Sequence, residues 1–203
     1  MGQFFLRAEK YLDQIAHDQI GEFVEIGTNR NFRDGSTKTI SGWAERYGKR
    51  LHSVDIDPRV GEFVKQFNIP NLEIHTCTGE SFLDTFPRDK PISLLYLDNF
   101  DWDWHPENSE DFVLEQQVRY KELGFEMTNV NSQRAHLDQM IAALSAMAEQ
   151  CVVILDDTWF IKAWAHFSGK GGAVVPYLLS HGFEILETEP HPVYGTIMGR
   201  NIT

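Results

Sequence analysis

Basic residues are in short supply in this chain: 18 Lys and Arg stand against 30 Asp and Glu, a net charge of -12 over 203 residues. Polyanion binding relies on Lys and Arg to neutralise phosphates, so no nucleic-acid partner is expected. Cysteine is scarcer still. Cys77 and Cys151 are too few for a disulfide framework and sit in apolar or strand-like surroundings, so they read as reduced thiols of a cytoplasmic protein. Long apolar runs are missing too. Val152-Val153-Ile154-Leu155 is typical of the longest, against the roughly 20 residues a bilayer-spanning helix needs, and no membrane association is expected. The opening residues, Met1-Gly2-Gln3-Phe4-Phe5-Leu6-Arg7, show neither the apolar stretch of a signal peptide nor the Ser or Thr that myristoylation of Gly2 requires. Finally, there is no Gly-x-Gly-x-x-Gly and no Gly-Lys-Ser/Thr, so no pyrophosphate or triphosphate cradle is evident.

What remains is an ordinary globular composition, 42% hydrophobic and 24% charged, at about the size of one domain. Apolar residues at helical spacing predict an N-terminal helix over 4–17, within a helical segment 1–20. After it, short β-rich runs alternate with helical stretches. Strands are predicted at 22–27, 51–55, 72–75, 92–97 and 151–155, and helices at 36–47, from 57, 79–86, 132–149 and 172–181. Ile92 to Leu97 is apolar apart from Ser93, as in a parallel strand buried on both faces. Residues 183–187 and 193–198 have no room for a helix between them and predict an antiparallel hairpin. The sum is an α/β fold, a seven-stranded mostly parallel sheet with a terminal antiparallel hairpin and helices on both faces. The insertion 99–131 breaks the rhythm. It leaves the carboxyl end of a central strand, where open α/β sheets bind ligands, and reads as a substrate cap or else as a peripheral helix over the sheet edge.

Polar groups collect at those carboxyl ends. The first strand ends in Glu25-Ile26-Gly27, the second in Asp55, the fourth in Asp98 and the fifth in Asp156-Asp157. Gly27 allows a tight turn close to a ligand, and an acid ending the second strand is placed to hold ribose hydroxyls. Together they suggest a nucleoside without phosphates. The bland alternative for Asp55 is a solvated strand-end carboxylate.

Five stretches carry a resemblance: Val24-Glu25-Ile26-Gly27-Thr28, Ser53 to Pro58, Gly79-Glu80-Ser81, Leu95-Tyr96-Leu97-Asp98 and Ile154-Leu155-Asp156-Asp157. In this order, and with the terminal hairpin, they resemble the class I S-adenosylmethionine-dependent methyltransferases over about residues 20–200. The resemblance implies a Rossmann-like single methyltransferase domain over 1–203 and S-adenosylmethionine as cofactor. Glu25 and Gly27 would border the methionine part, and Thr28 and Ser36 would also bind the cofactor. Asp55, with Asp57 close by, would hold the ribose. Glu80 and Ser81 would lie near the adenine, unless they are plain first-turn residues, and Asp98 would face the cofactor. The loop 29–34 departs from the family by placing polar residues where a compact glycine-rich turn is usual.

Asp98, Asp156 and Asp157 look most like the metal-dependent small-molecule O-methyltransferases. By that resemblance the three would bind Mg²⁺, a hard cation suited to carboxylates, and the metal would acidify an acceptor hydroxyl. Alternatively, Asp98 caps the site and the Asp pair bonds loop backbone. Asp98 and His136 are the candidate catalytic groups; a histidine titrates near neutrality, although a surface histidine is the commoner case. Trp102, Trp104 and Trp159 are candidates for an acceptor pocket. The expected partner is a small hydroxylated acceptor, with an amine left open. A second copy of the chain is also a candidate partner, contacted through Phe4, Phe5 and Tyr11. Two other functions compete: a nicotinamide-dependent oxidoreductase and a non-catalytic nucleoside-binding module.

Overall fold

The computed structural model describes residues 3–29, 35–101, 110–189 and 195–202. Seven strands form one sheet in the order β3-β2-β1-β4-β5-β9-β8: β1 Glu22–Ile26, β2 Leu51–Asp55, β3 Leu72–Thr76, β4 Ile92–Leu97, β5 Met147–Asp156, β8 Glu184–Thr188 and β9 Gly195–Arg200. The strands from β3 across to β5 are parallel, with Val24 beside His52 on one flank and Leu95 on the other, and Leu95 beside Val153. β9 runs antiparallel to both β5 and β8. This is the predicted architecture.

Alternation along the central strands divides the core between two faces. On one face Val24, Ile26, Leu95, Leu97, Val153 and Leu155 pack with Met140 and Ala143 of α7 (Asn129–Ala143) and Val174, Val175 and Leu178 of α8 (Val174–Ser180). On the other, Phe23, Leu94, Tyr96, Val152 and Ile154 pack with Ile40, Trp43 and Ala44 of α3 (Ser36–Arg46). Three helix starts are set by side-chain caps. Asp57 caps α4 (Pro58–Lys65), Thr78 caps α5 (Gly79–Asp84) and Thr128 caps α7, each oxygen accepting a backbone N–H of the first turn.

The N-terminal segment differs from expectation. It forms two single turns, α1 Gln3–Leu6 and α2 Glu9–Leu12. Phe4 and Phe5, both in α1, are buried in the core. Phe5 stacks on Trp43 at 5.0 Å and meets Tyr96 edge-on at 4.9 Å. These rings are consumed within the chain, so they offer no surface to a second copy.

Two further departures bear on the site. α7 ends at Ala143, and a short 3₁₀ turn at Leu144–Ala146 leads into a β5 that begins at Met147, because Met147 pairs with Ile92 instead of prolonging the helix. After β5 comes an unexpected hairpin, β6 Thr158–Ile161 with β7 His166–Gly169. The helix predicted over 172–181 is α8, with Pro176 in its first turn, where a missing N–H costs nothing. Of the insertion, α6 spans Glu110–Glu122. Residues 102–109, including Trp102 and Trp104, and residues 30–34 of the polar loop lie outside the described residues.

Candidate active site

The strand order reverses between β1 and β4, the place where an open α/β sheet forms a crevice. A cavity of about 640 Å³ lies there, bounded by the ends of β1, β2 and β4, the start of α5, and residues of α6 and α7. That volume suits a nucleoside-sized ligand. Gly27 makes the crevice possible. Its φ is +99°, and a Cβ there would stand 2.6 Å from the Asp98 carbonyl oxygen and 2.7 Å from the Asn99 nitrogen, so only glycine lets the two strand ends come this close.

Gly27, Thr28, Asp55, Glu80 and Asp98 all line the cavity. Glu25 and Ser36 lie behind the wall. The Glu25 carboxylate is wholly buried and accepts hydroxyl hydrogen bonds from Ser36 at 2.5 Å, Thr37 at 2.6 Å and Ser53 at 2.6 Å. Burial pushes its pKa up to about 7 against the pull of those three donors. Ser53 in turn bonds Thr28 at 2.7 Å, so this buried network braces the turn that carries Gly27. Ser81 stays in the first turn of α5, its N–H on the Thr78 hydroxyl. Glu80 is held from α7 by Gln139 at 3.0 Å.

Asp57 does not reach the cavity either. It is buried and binds Arg59 and Arg119. The Arg59 hydrogen bonds hold its carboxyl well below the usual range, against the opposing effect of burial and with help from Arg119. Arg119 belongs to α6 and lines the cavity, so Asp57 anchors the insertion. Phe100, Tyr120 and Met127 add an apolar joint, and Tyr120 accepts the Asp101 N–H at 2.9 Å. Trp159 stands on β6, outside the cavity wall.

The oxygens of Asp98, Asp156 and Asp157 do converge, but they meet an ammonium group. Lys170 Nζ donates to Asp98 Oδ1 at 3.0 Å and to Asp157 Oδ2 at 2.8 Å, with its side chain only 4% exposed. Burial alone would lower its pKa; the carboxylates of Asp157 and Asp98 outweigh that and raise it well above normal. The Tyr96 hydroxyl lies 3.0 Å from both Asp98 Oδ2 and Asp156 Oδ2. It has one proton and can donate it to only one of them at a time. Burial first, then Asp98 and Asp157, push the pKa of Asp156 far up. A Mg²⁺ ion held by these three acids would have to displace the Lys170 ammonium from between them.

Neither Lys170 nor the contact of Tyr96 with the acids is evident from the sequence. Tyr96 precedes Asp98 by two residues, and such a pair shares one strand face. The run Gly169-Lys170-Gly171-Gly172 was the signal for Lys170. Gly169 has φ +84°, and a Cβ there would lie 1.8 Å from the Asp157 carbonyl oxygen, which lets the Lys170 N–H bond that oxygen at 3.0 Å.

His136 is fully buried and is not in the cavity wall. Its Nδ1 lies 2.8 Å from the Ser132 carbonyl oxygen and so donates, while Nε2 has no hydrogen-bond partner among the described residues. Burial, aided by Lys170, lowers its pKa to about 3. It is therefore neutral at any working pH. Both cysteines are free, Cys77 at the cavity and Cys151 in the core. No helix among the described residues is long and apolar enough to cross a membrane.

No family model matches the chain, and no curated protein matches its sequence. Solved structures do match in shape. The O-methyltransferase NovP aligns with a TM-score of 0.60 at 11% identity, over 97% of this chain and 78% of NovP. A Streptococcus mutans protein assigned as a methyltransferase and solved with SAH aligns at 0.52 and 10% identity, over 95% and 94% of the two chains. An rRNA methylase from Streptococcus thermophilus aligns at 0.50 and 12% identity, over 97% of each. Identities this low establish a shared fold and nothing finer about chemistry. With its strand order, its reversed last strand and its crevice beside Gly27, the chain has the Rossmann-like fold of the class I methyltransferases.

Proposed function

We propose that this chain is an S-adenosylmethionine-dependent methyltransferase that methylates a hydroxyl of a small acceptor. The observation that carries the proposal is the single cavity wall shared by Gly27, Asp55 and Asp98 at the switch point of the sheet. Asp55 ends β2 where ribose hydroxyls would find an acceptor, and Gly27 opens the space for the methionine part. S-adenosylmethionine supplies an electrophilic methyl group on a sulfonium. Asp98 is the group placed to accept the proton of the acceptor hydroxyl. Lys170 and Tyr96 each bond one of its oxygens, fixing its orientation, and Lys170 provides the counter-charge that Mg²⁺ provides in the metal-dependent resemblance. The insertion 99–131 closes the acceptor side through Phe100, Tyr120 and Phe125. No metal enters this reading.

Methylation of an amine is a second reading, favoured by one observation. The wall carries Asp55, Glu80, Asp98, Asp101, Glu126 and Asp138 against Arg119 and Arg134, an excess that attracts a cation and repels a polyanion. Calorimetric titration with S-adenosylmethionine and S-adenosylhomocysteine tests the core of the proposal. Micromolar binding that weakens at least about tenfold in Asp55→Ala supports it. Failure of both compounds to bind the wild-type chain rejects it. Mass analysis of products then separates hydroxyl from amine acceptors.

A further inference from the structure

Away from the cavity, a second set of side chains converges on the outer part of the sheet. β2 and β3 pair in parallel with His52 opposite Glu73 and Val54 opposite His75. Glu73 and His75 are two residues apart and share a strand face, and paired neighbours point the same way, so His52 joins them. One ligand atom from each lies within 4.8 Å of the others. His52 Nδ1 is 3.1 Å from His75 Nε2 and 3.4 Å from Glu73 Oε2.

His52 Nε2 is buried, has no hydrogen-bond partner among the described residues and faces the Glu22 carboxylate, Oε2 being 3.9 Å away. His52 Nδ1 and His75 Nε2 share a hydrogen bond, and a bound cation would take its place, with the two nitrogens and Glu73 Oε2 each turning a lone pair to it. Two distances match a known coordination figure. Tetrahedral ligands at the usual Zn–N and Zn–O lengths are about 3.3 Å apart, close to the 3.1 and 3.4 Å observed. Glu22 supplies the outer carboxylate that commonly orients a metal-bound imidazole through its far N–H. Arg50 anchors the other oxygen of Glu73, and the rings of Phe82 and Phe86 pack on the two imidazoles.

We propose that His52, Glu73 and His75 form a binding site for a divalent transition ion of the Zn²⁺ class, with a fourth position open to solvent. Two imidazoles and a carboxylate suit Zn²⁺, Ni²⁺ or Co²⁺ over Mg²⁺. The ion ties the edge strand β3 to β2 and is independent of methyl transfer.

The experiment is calorimetric titration of the chelator-treated full chain with Zn²⁺, paralleled by Co²⁺ absorption and by melting with and without Zn²⁺. The expected result is one site of micromolar or tighter affinity, a tetrahedral-type Co²⁺ spectrum, and a raised Tm. Affinity should fall by about 10- to 100-fold or more in His75→Ala and in Glu73→Gln, while Asp157→Asn binds as the wild type does. Because His75 and Glu73 are partly exposed on an edge strand, both variants fold. Absence of saturable binding, unchanged affinity in His75→Ala, or loss confined to Asp157→Asn overturns the proposal.

Discussion

Arg119 donates from Nε to Asp57 Oδ2 at 2.8 Å, joining the insertion helix α6 to the cap of α4 across the mouth of the cavity. Asp57 is buried and Arg119 partly so, and Arg119 lines the site. The bond therefore couples the position of the insertion to the strand end that carries Asp55.

Replacing Arg119 with Ala loosens this joint without removing any group placed for chemistry. Asp57 keeps Arg59, so the stability cost is about 1–3 kcal/mol. The acceptor KM is expected to rise about tenfold, the equivalent of roughly 1.4 kcal/mol of uniform binding, with kcat little changed. Steady-state kinetics decide the matter; an equal fall in kcat and kcat/KM would place Arg119 in the chemical step.

Lys170→Met removes a buried cation from between acids. Such a loss costs about 3–5 kcal/mol, read as a lower Tm. The three carboxylates left behind should acquire Mn²⁺ binding, measurable by paramagnetic resonance, that the wild-type chain lacks. Wild-type turnover is expected to survive chelator, even where chelator strips the outer histidine site. Chelator-sensitive turnover, or Mn²⁺ bound by Asp98 in the wild type, would show that a metal displaces Lys170.

Glu25 should leave a signature in stability against pH. Its folded pKa of about 7 exceeds its ordinary value of 4.5, so between these values the folded chain holds more protons than the unfolded one. Stability therefore falls as pH rises through this window, by up to about 3 kcal/mol from the size of the shift, and levels off above it. Melting scans from pH 4.5 to 8 on wild type and Glu25→Gln check this. The wild-type slope should flatten in the variant, and an unchanged slope would assign the effect elsewhere.

Gly27→Ala puts a Cβ against the Asp98 carbonyl at a positive φ. Both strain and overlap act, so a loss of at least about 2 kcal/mol is expected, with weaker S-adenosylhomocysteine binding. A variant with wild-type Tm and affinity would mean that the β1–β4 turn can relax.

The sheet was legible because its signals are local and repeated. Apolar runs such as Leu94 to Leu97 and Cys151 to Leu155, each followed by an acid, name both the buried strands and their ligand-facing ends. Asp57 shows where that reading stops. From sequence it is one more acid after β2, and only the distant Arg119 reveals it as an anchor. His136 stops short in the same way: its spacing puts it on a helix, but packing decides that it is buried and neutral. The β6–β7 hairpin was hidden because Thr158 to Ile161 is short and follows directly on β5. With it went Lys170, and so the charge balance at Asp98.

The route by which Lys170 arrives has a consequence for how the chain assembles. It lies 72 residues beyond Asp98, directly after β7. Until the hairpin docks, Asp98, Asp156 and Asp157 crowd together without their cation. Docking the hairpin relieves that crowding by bringing in the ammonium, and dissolved salt, which screens charge, should weaken the drive to dock as it weakens the finished ion pairs.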